Sequence, residues 1–170
     1  MDITIKSYLR FCEEVQKKMF RTIIALLVCL VTAIVIGIFQ ILALDVTTIG
    51  NIVQDPNVVD LAKYQGALLF GELIFPYTFA LNGVYAPIAA LGVAGFIAGL
   101  LSKSGVRMLF VSIIALALFF VGYAALTVGA AFTQAELTAL ASNMVIDLGV
   151  SFALLFIPGI IGASLTAEEY

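Results

Sequence analysis

Two carboxylates, Glu72 and Asp147, stand in stretches of sequence that are otherwise almost wholly apolar. An ionisable side chain near the middle of a bilayer costs on the order of 3 kcal/mol on insertion scales, so its presence there is a functional hypothesis in itself. Such a pair could pass a proton or a cation. The simpler reading is that both reach water at the membrane edge. Asp147 lies within about one turn of the end of its apolar run, and Glu72 belongs to a segment with a proline four residues on. Lys63 is near Glu72 in sequence, but at i,i+9 the two do not share a helix face, so no partner charge follows from the sequence.

Little else in the chain could do chemistry. Histidine and tryptophan are absent, which removes imidazole ligation of haem or zinc and a Ser-His-Asp triad. There is no G-x-S-x-G, Walker-type Gly-Lys loop, C-x-x-C or H-E-x-x-H. The expectation is therefore of no catalytic residue, no metal and no cofactor. Cys12 and Cys29 fall on different helical segments, and a disulfide needs Cα atoms within ~7 Å. Both read as free thiols, with palmitoylation of Cys12 as the rival for that residue.

The elements that would position the carboxylates are membrane helices. Of 170 residues, 63% are hydrophobic and 11% charged, and the mean hydropathy is +1.17. A soluble domain carries about 25% charged residues. The net charge of −3 and the lack of a basic stripe outside the membrane flanks exclude nucleic acid as a partner. Lipid is the expected solvent. Four spans are predicted, at about 22–44, 84–101, 108–132 and 144–165, each near the length that ~30 Å of hydrocarbon requires. The first is too long for a signal peptide.

Seven of the eight basic residues fall on one side of this pattern. Lys6, Arg10, Lys17, Lys18 and Arg21 precede the first span, Lys103 and Arg107 occupy a short loop, and Lys63 alone is opposite. Basic residues favour the cytoplasmic side, which predicts a cell-membrane protein with both termini cytoplasmic. Tyr64, Tyr77, Tyr85 and Phe132 then fall at the outer boundary, where aromatic belts form.

Two segments flank this scheme. Residues 1–21 pattern as an amphipathic surface helix, with Ile5, Tyr8, Leu9, Cys12, Val15 and Met19 on one face and the five basic residues opposite, against anionic head groups. Docking of its apolar stripe on a partner subunit is the alternative. Residues 46–63 read as an outer loop with a turn at Asp55-Pro56-Asn57. Residues 64–81 are apolar but contain Glu72 and Pro76. A full crossing there would put Lys103 and Arg107 outside, so the segment is expected to be interfacial or re-entrant, followed by a tight turn at Asn82-Gly83. Thr133-Gln134-Ala135-Glu136 fits a capping box that starts a helix leading into the last span.

Small residues four apart recur in the spans: Gly95 and Gly99, Ala125 and Gly129, Gly149 and Ala153, Gly159 and Ala163. They let helix backbones approach closely where lipid supplies no hydrophobic drive. They serve packing within the bundle or docking on another subunit. Pro87 and Pro158 are expected to interrupt spans two and four. The halves show no inverted repeat of the transporter type.

The expected fold is thus an all-α four-helix membrane bundle with an N-terminal amphipathic helix and an outer re-entrant or interfacial helix. The expected role is that of a structural or accessory subunit, partnered by the lipid bilayer and by other membrane subunits or copies of itself. The alternative is a homo-oligomeric channel or carrier for a cation or proton, using Glu72 and Asp147.

Overall fold

The computed structural model describes residues 2–54, 56–127 and 134–167, and the side chains of residue 16 and of 19–45, 47–54, 56–127 and 144–167. Within them the chain is all-helical. The helices are α1 (Asp2–Gln40), α2 (Val46–Gln54), α3 (Val58–Ile74), α4 (Pro76–Leu81), α5 (Ala86–Ser102), α6 (Gly105–Thr127) and α7 (Gln134–Leu165). Among the described residues, three stretches are long and apolar enough to cross a membrane: Met19–Gln40, Gly105–Thr127 and Met144–Leu165. The fourth expected span, α5, is apolar but shorter, at 17 residues.

Several sequence expectations are corrected. Residues 2–21 and the first span form one helix, not two, because no Gly or Pro interrupts the run before Gly37. That helix stops at Gln40 rather than residue 44: the chain reverses over 41–45, with Ala43 at φ 47°, and Leu44 N–H returns to the Ile38 carbonyl. The expected outer loop is helical over 46–54 and 58–63, in α2 and α3, and Asp55 of its expected turn lies outside the described residues. Asp45 caps α2 by accepting from the Thr48 N–H at 2.7 Å, satisfying one of the free amides of a first helical turn. Pro87 does not interrupt a span; it lies in the first turn of α5, where no intrahelical donor is lost. Pro158 does lie within α7.

Contacts fix the directions of the helices. A Cβ built on Gly95 would fall on the Leu155 carbonyl, and one on Gly99 on the Gly159 carbonyl. The helices α5 and α7 therefore run the same way with their backbones touching. The short connection at 103–104 turns α6 back alongside this pair, where Met108 meets Gly159. Against α6, α3 runs antiparallel, with Gly66 at Leu126 and Phe70 at Gly122. The end of α1 joins that same end of the bundle, with Gly37 against Leu69 of α3. The start of α1 thus lies at the opposite end, together with the 103–107 loop. The end of α7 is there too, since the Thr166 hydroxyl donates to the Leu100 carbonyl at 2.9 Å. Arg107 and Lys103 also finish α5: Lys103 takes a left-handed φ of 54°, and the Arg107 guanidinium donates to the Ser102 carbonyl at 3.1 Å.

The core is built where these faces meet. Ala25, Cys29 and Ala33 form a buried stripe on α1, which packs along α5, itself burying Ala90, Ala94 and Ala98. Leu73, Leu91, Met108, Phe119 and Leu155 fill the remaining interior.

Candidate functional site at a broken helix

Residues 64–81 do not form one helix. The chain runs down α3 to Ile74, leaves helical geometry at Phe75 (φ −112°, ψ 47°) and restarts at Pro76. Proline explains the location of the break. It has no N–H to give to residue 72, and it disfavours helical geometry in the residue before it, yet its fixed φ suits the first position of a new helix. Asn82 and Gly83 then close the expected tight turn, with Gly83 at φ 83°.

A helix break inside an apolar bundle leaves free amides at the new start and free carbonyls at the old end. Phe75 offers no side-chain cap. The missing groups come from α7. The Asp147 carboxylate accepts from the Thr78 N–H at 2.9 Å and from the Thr78 hydroxyl at 2.6 Å. Thr78 is the third residue of α4, so Asp147 occupies the place of an N-cap from 69 residues away. One turn further along α7, the Ser151 hydroxyl lies 3.3 Å and 3.0 Å from the carbonyls of Leu73 and Ile74. It also lies 2.9 Å from the Asp147 carbonyl and has a single proton to share among the three. Both side chains are fully buried.

These contacts also define the path of the chain. Leu73 and Ile74 sit at the level of Ser151, and Thr78 at the level of Asp147, one turn back along α7. The segment dips into the bundle from the end where α2 lies, turns at Phe75 and comes back.

Glu72 stands one turn before the break. It is half-buried, and its Oε2 is enclosed with no hydrogen-bond partner among the described residues. The two carboxylates singled out by sequence are therefore in different situations: one is committed to two donors of its own chain, and one keeps an oxygen without any. Among the described residues, no three His, Cys, Asp or Glu side chains converge in the manner of a metal site.

The remaining sequence candidates are dispersed. Gly95, Gly99, Gly159 and the buried Ala163 lie in the seam between α5 and α7, where Gly162, not singled out by sequence, meets the Phe96 carbonyl. Gly149 faces open space, and Ala125 is exposed. Gly129, Thr133 of the expected capping box, and the side chains of Gln134–Glu136, Lys6, Arg10, Lys17, Lys18 and Cys12 lie outside the described residues, and Arg21 is half-buried on α1. Comparison of the chain with protein families, characterised proteins and solved structures finds no match. Thr78 and Ser151 were not anticipated. The available signal was a serine one turn after a buried aspartate, opposite a Phe-Pro break.

Proposed function

We propose that this chain is a small polytopic membrane protein that serves as a structural or accessory subunit of a larger membrane assembly. The observation that carries the reading is Glu72. A buried carboxyl oxygen without a donor costs free energy that the described residues of its own chain do not recover. A donor from another subunit, or from a second copy, would supply what is missing. The rest of the site supports a scaffold: Asp147 and Ser151 hold a helix break together, and the α5–α7 glycines serve contact within the chain.

The topology that best suits this role has α1, α5, α6 and α7 crossing the bilayer and α3–α4 as a re-entrant hairpin. At ~1.5 Å per residue, α5 spans about 26 Å, close to the hydrocarbon thickness. The basic start of α1 and the loop of Lys103 and Arg107 share one end of the bundle, which the charge bias assigns to the cytoplasm of the cell membrane together with both termini. The test is the mass of the full chain, with any co-purifying chains, after extraction in mild detergent. The wild type is expected in an assembly that Glu72→Leu weakens. A stable monomer without partners would overturn the reading.

A second reading, a homo-oligomeric channel or carrier for a cation or proton, draws on the same break. Interrupted helices expose backbone groups at ion sites in transporters, and Glu72 lies one turn from such an interruption. Liposome flux should then fall with Glu72→Gln and with Asp147→Asn; flux unchanged in both variants removes it.

A further inference from the structure

At the end of the bundle where α2 lies, α1, α2 and α3 do not close on one another. They leave a cavity of about 320 Å³, walled by Ile34, Ile38 and Leu42 near the end of α1, Ile49 and Ile52 on α2, and Leu69 on α3. Among the described residues, Gln65 is its only polar lining side chain. An apolar cavity of about 150 Å³ already stays dry and admits a benzene-sized guest, and this one is roughly twice that size. Water gains nothing there, because a buried water needs two to four polar partners.

The shape and rim of the cavity narrow the choice of occupant. From Ile34 to its end at Gln40, α1 follows the cavity for nearly two turns, about 9 Å along the helix axis, and Leu42 continues the wall just beyond it. In a membrane protein that axis runs with the lipid chains. Lys63 stands one turn before Gly66 and two turns before Phe70, on the strip of α3 that borders the cavity, and it is exposed. It is the only basic residue between Arg21 and Lys103. Among the described residues, two acids lie near this rim. Asp45 is committed to the Thr48 amide, and the helical repeat turns Asp60 away from the face of Ala62, Gln65 and Leu69. An apolar slot along the bilayer normal with one ammonium at its mouth matches an amphiphile with an alkyl chain and a phosphate.

We infer that this cavity holds one acyl chain of a membrane phospholipid, with the lipid phosphate met by Lys63. The inference rests on the membrane reading above but not on the subunit reading. It is tested by native mass spectrometry of the full chain released from phosphatidylglycerol or phosphatidylcholine vesicles. The wild type is expected to retain one phospholipid per chain, as should Val121→Phe on the exposed face of α6. Ala62→Phe fills the cavity from α3 and should lower retention about tenfold, the equivalent of ~1.4 kcal/mol. Ile52→Phe fills it from α2 and serves if Ala62→Phe loses its helical circular dichroism. Retention by the wild type should weaken as salt is raised, and Lys63→Gln should abolish that salt dependence. Wild-type chain that inserts into vesicles but is released without lipid overturns the site. So does equal retention by helical Ala62→Phe and Ile52→Phe, or a retained free fatty acid in place of a phospholipid. Failure of the chain to insert at all defeats the membrane reading instead.

Discussion

The Asp147 carboxylate on α7 caps the first turn of α4 by accepting both the N–H and the hydroxyl of Thr78. A residue that by sequence suggests ion conduction is thereby engaged in holding the second half of a broken helix against α7, while Ser151 holds the first. Asp147→Ala would strand a Thr78 amide in the interior, at a cost of about 1–3 kcal/mol. Asp147→Asn keeps an acceptor for that amide and should recover most of the loss. Thermal unfolding in detergent, followed by circular dichroism, measures both; an Ala variant as stable as wild type would show that the cap contributes nothing.

The glycines on α5 and α7 should separate sharply in their tolerance. At Gly99 an added methyl meets the Gly159 backbone, which cannot move without parting the helices. Gly99→Ala should therefore cost about 1–3 kcal/mol through overpacking. At Gly149 the methyl enters open space, so Gly149→Ala should be neutral. Unfolding curves of the two variants, compared side by side, check this, and equal stability of the two would sink it.

Asp45 makes the start of α2 sensitive to acid. The Thr48 hydroxyl, followed by the Thr48 N–H, holds its carboxyl below the ordinary carboxylate range. A lowered folded value means that the stabilisation is fully present above the unfolded value of about 3.9 and is lost as pH falls through the folded value. The Thr48 amide should lose exchange protection in that acid range. In Asp45→Asn this pH dependence should vanish; protection that is flat with pH in the wild type would refute the cap.

Topology can be read with single cysteines at Asn57 and Ser104, in a background where Cys12 and Cys29 are replaced by serine. The re-entrant arrangement expects an impermeant maleimide, added from outside the cell, to label Asn57→Cys and not Ser104→Cys. Labelling of both positions would mean that 58–81 crosses the bilayer, and labelling of Ser104→Cys alone would mean that the whole chain is inverted.

Much of the architecture was legible along the chain because its signals are local. A run of about 20 apolar residues reads as a membrane helix whatever surrounds it, and basic residues accumulate at one end of the bundle whatever the packing inside. Pro76 marked 64–81 as unusual, and Asn82-Gly83 marked the turn after it. The start of α2 was missed because its cap depends on how the chain reverses at Ala43, and that reversal follows from packing. The stripe of Ala25, Cys29 and Ala33 was present in the sequence at a spacing of four, but nothing local distinguished it from the lipid-facing alanines elsewhere.

The candidate site shows the same division more strongly. Sequence by itself determined that two carboxylates stand in apolar surroundings, that a proline interrupts one of their segments, and which end of the chain carries the positive charge. These are properties of composition and order. Only the tertiary structure decided which carboxylate has partners. Thr78 and Asp147 are 69 residues apart, and Ser151 reaches Leu73 and Ile74 across a similar separation. No local propensity encodes such pairings. They arise because a helix broken in an apolar interior must find donors and acceptors on whatever helix packs against it, and the glycine seam that draws α7 against α5 carries Asp147 and Ser151 to that place.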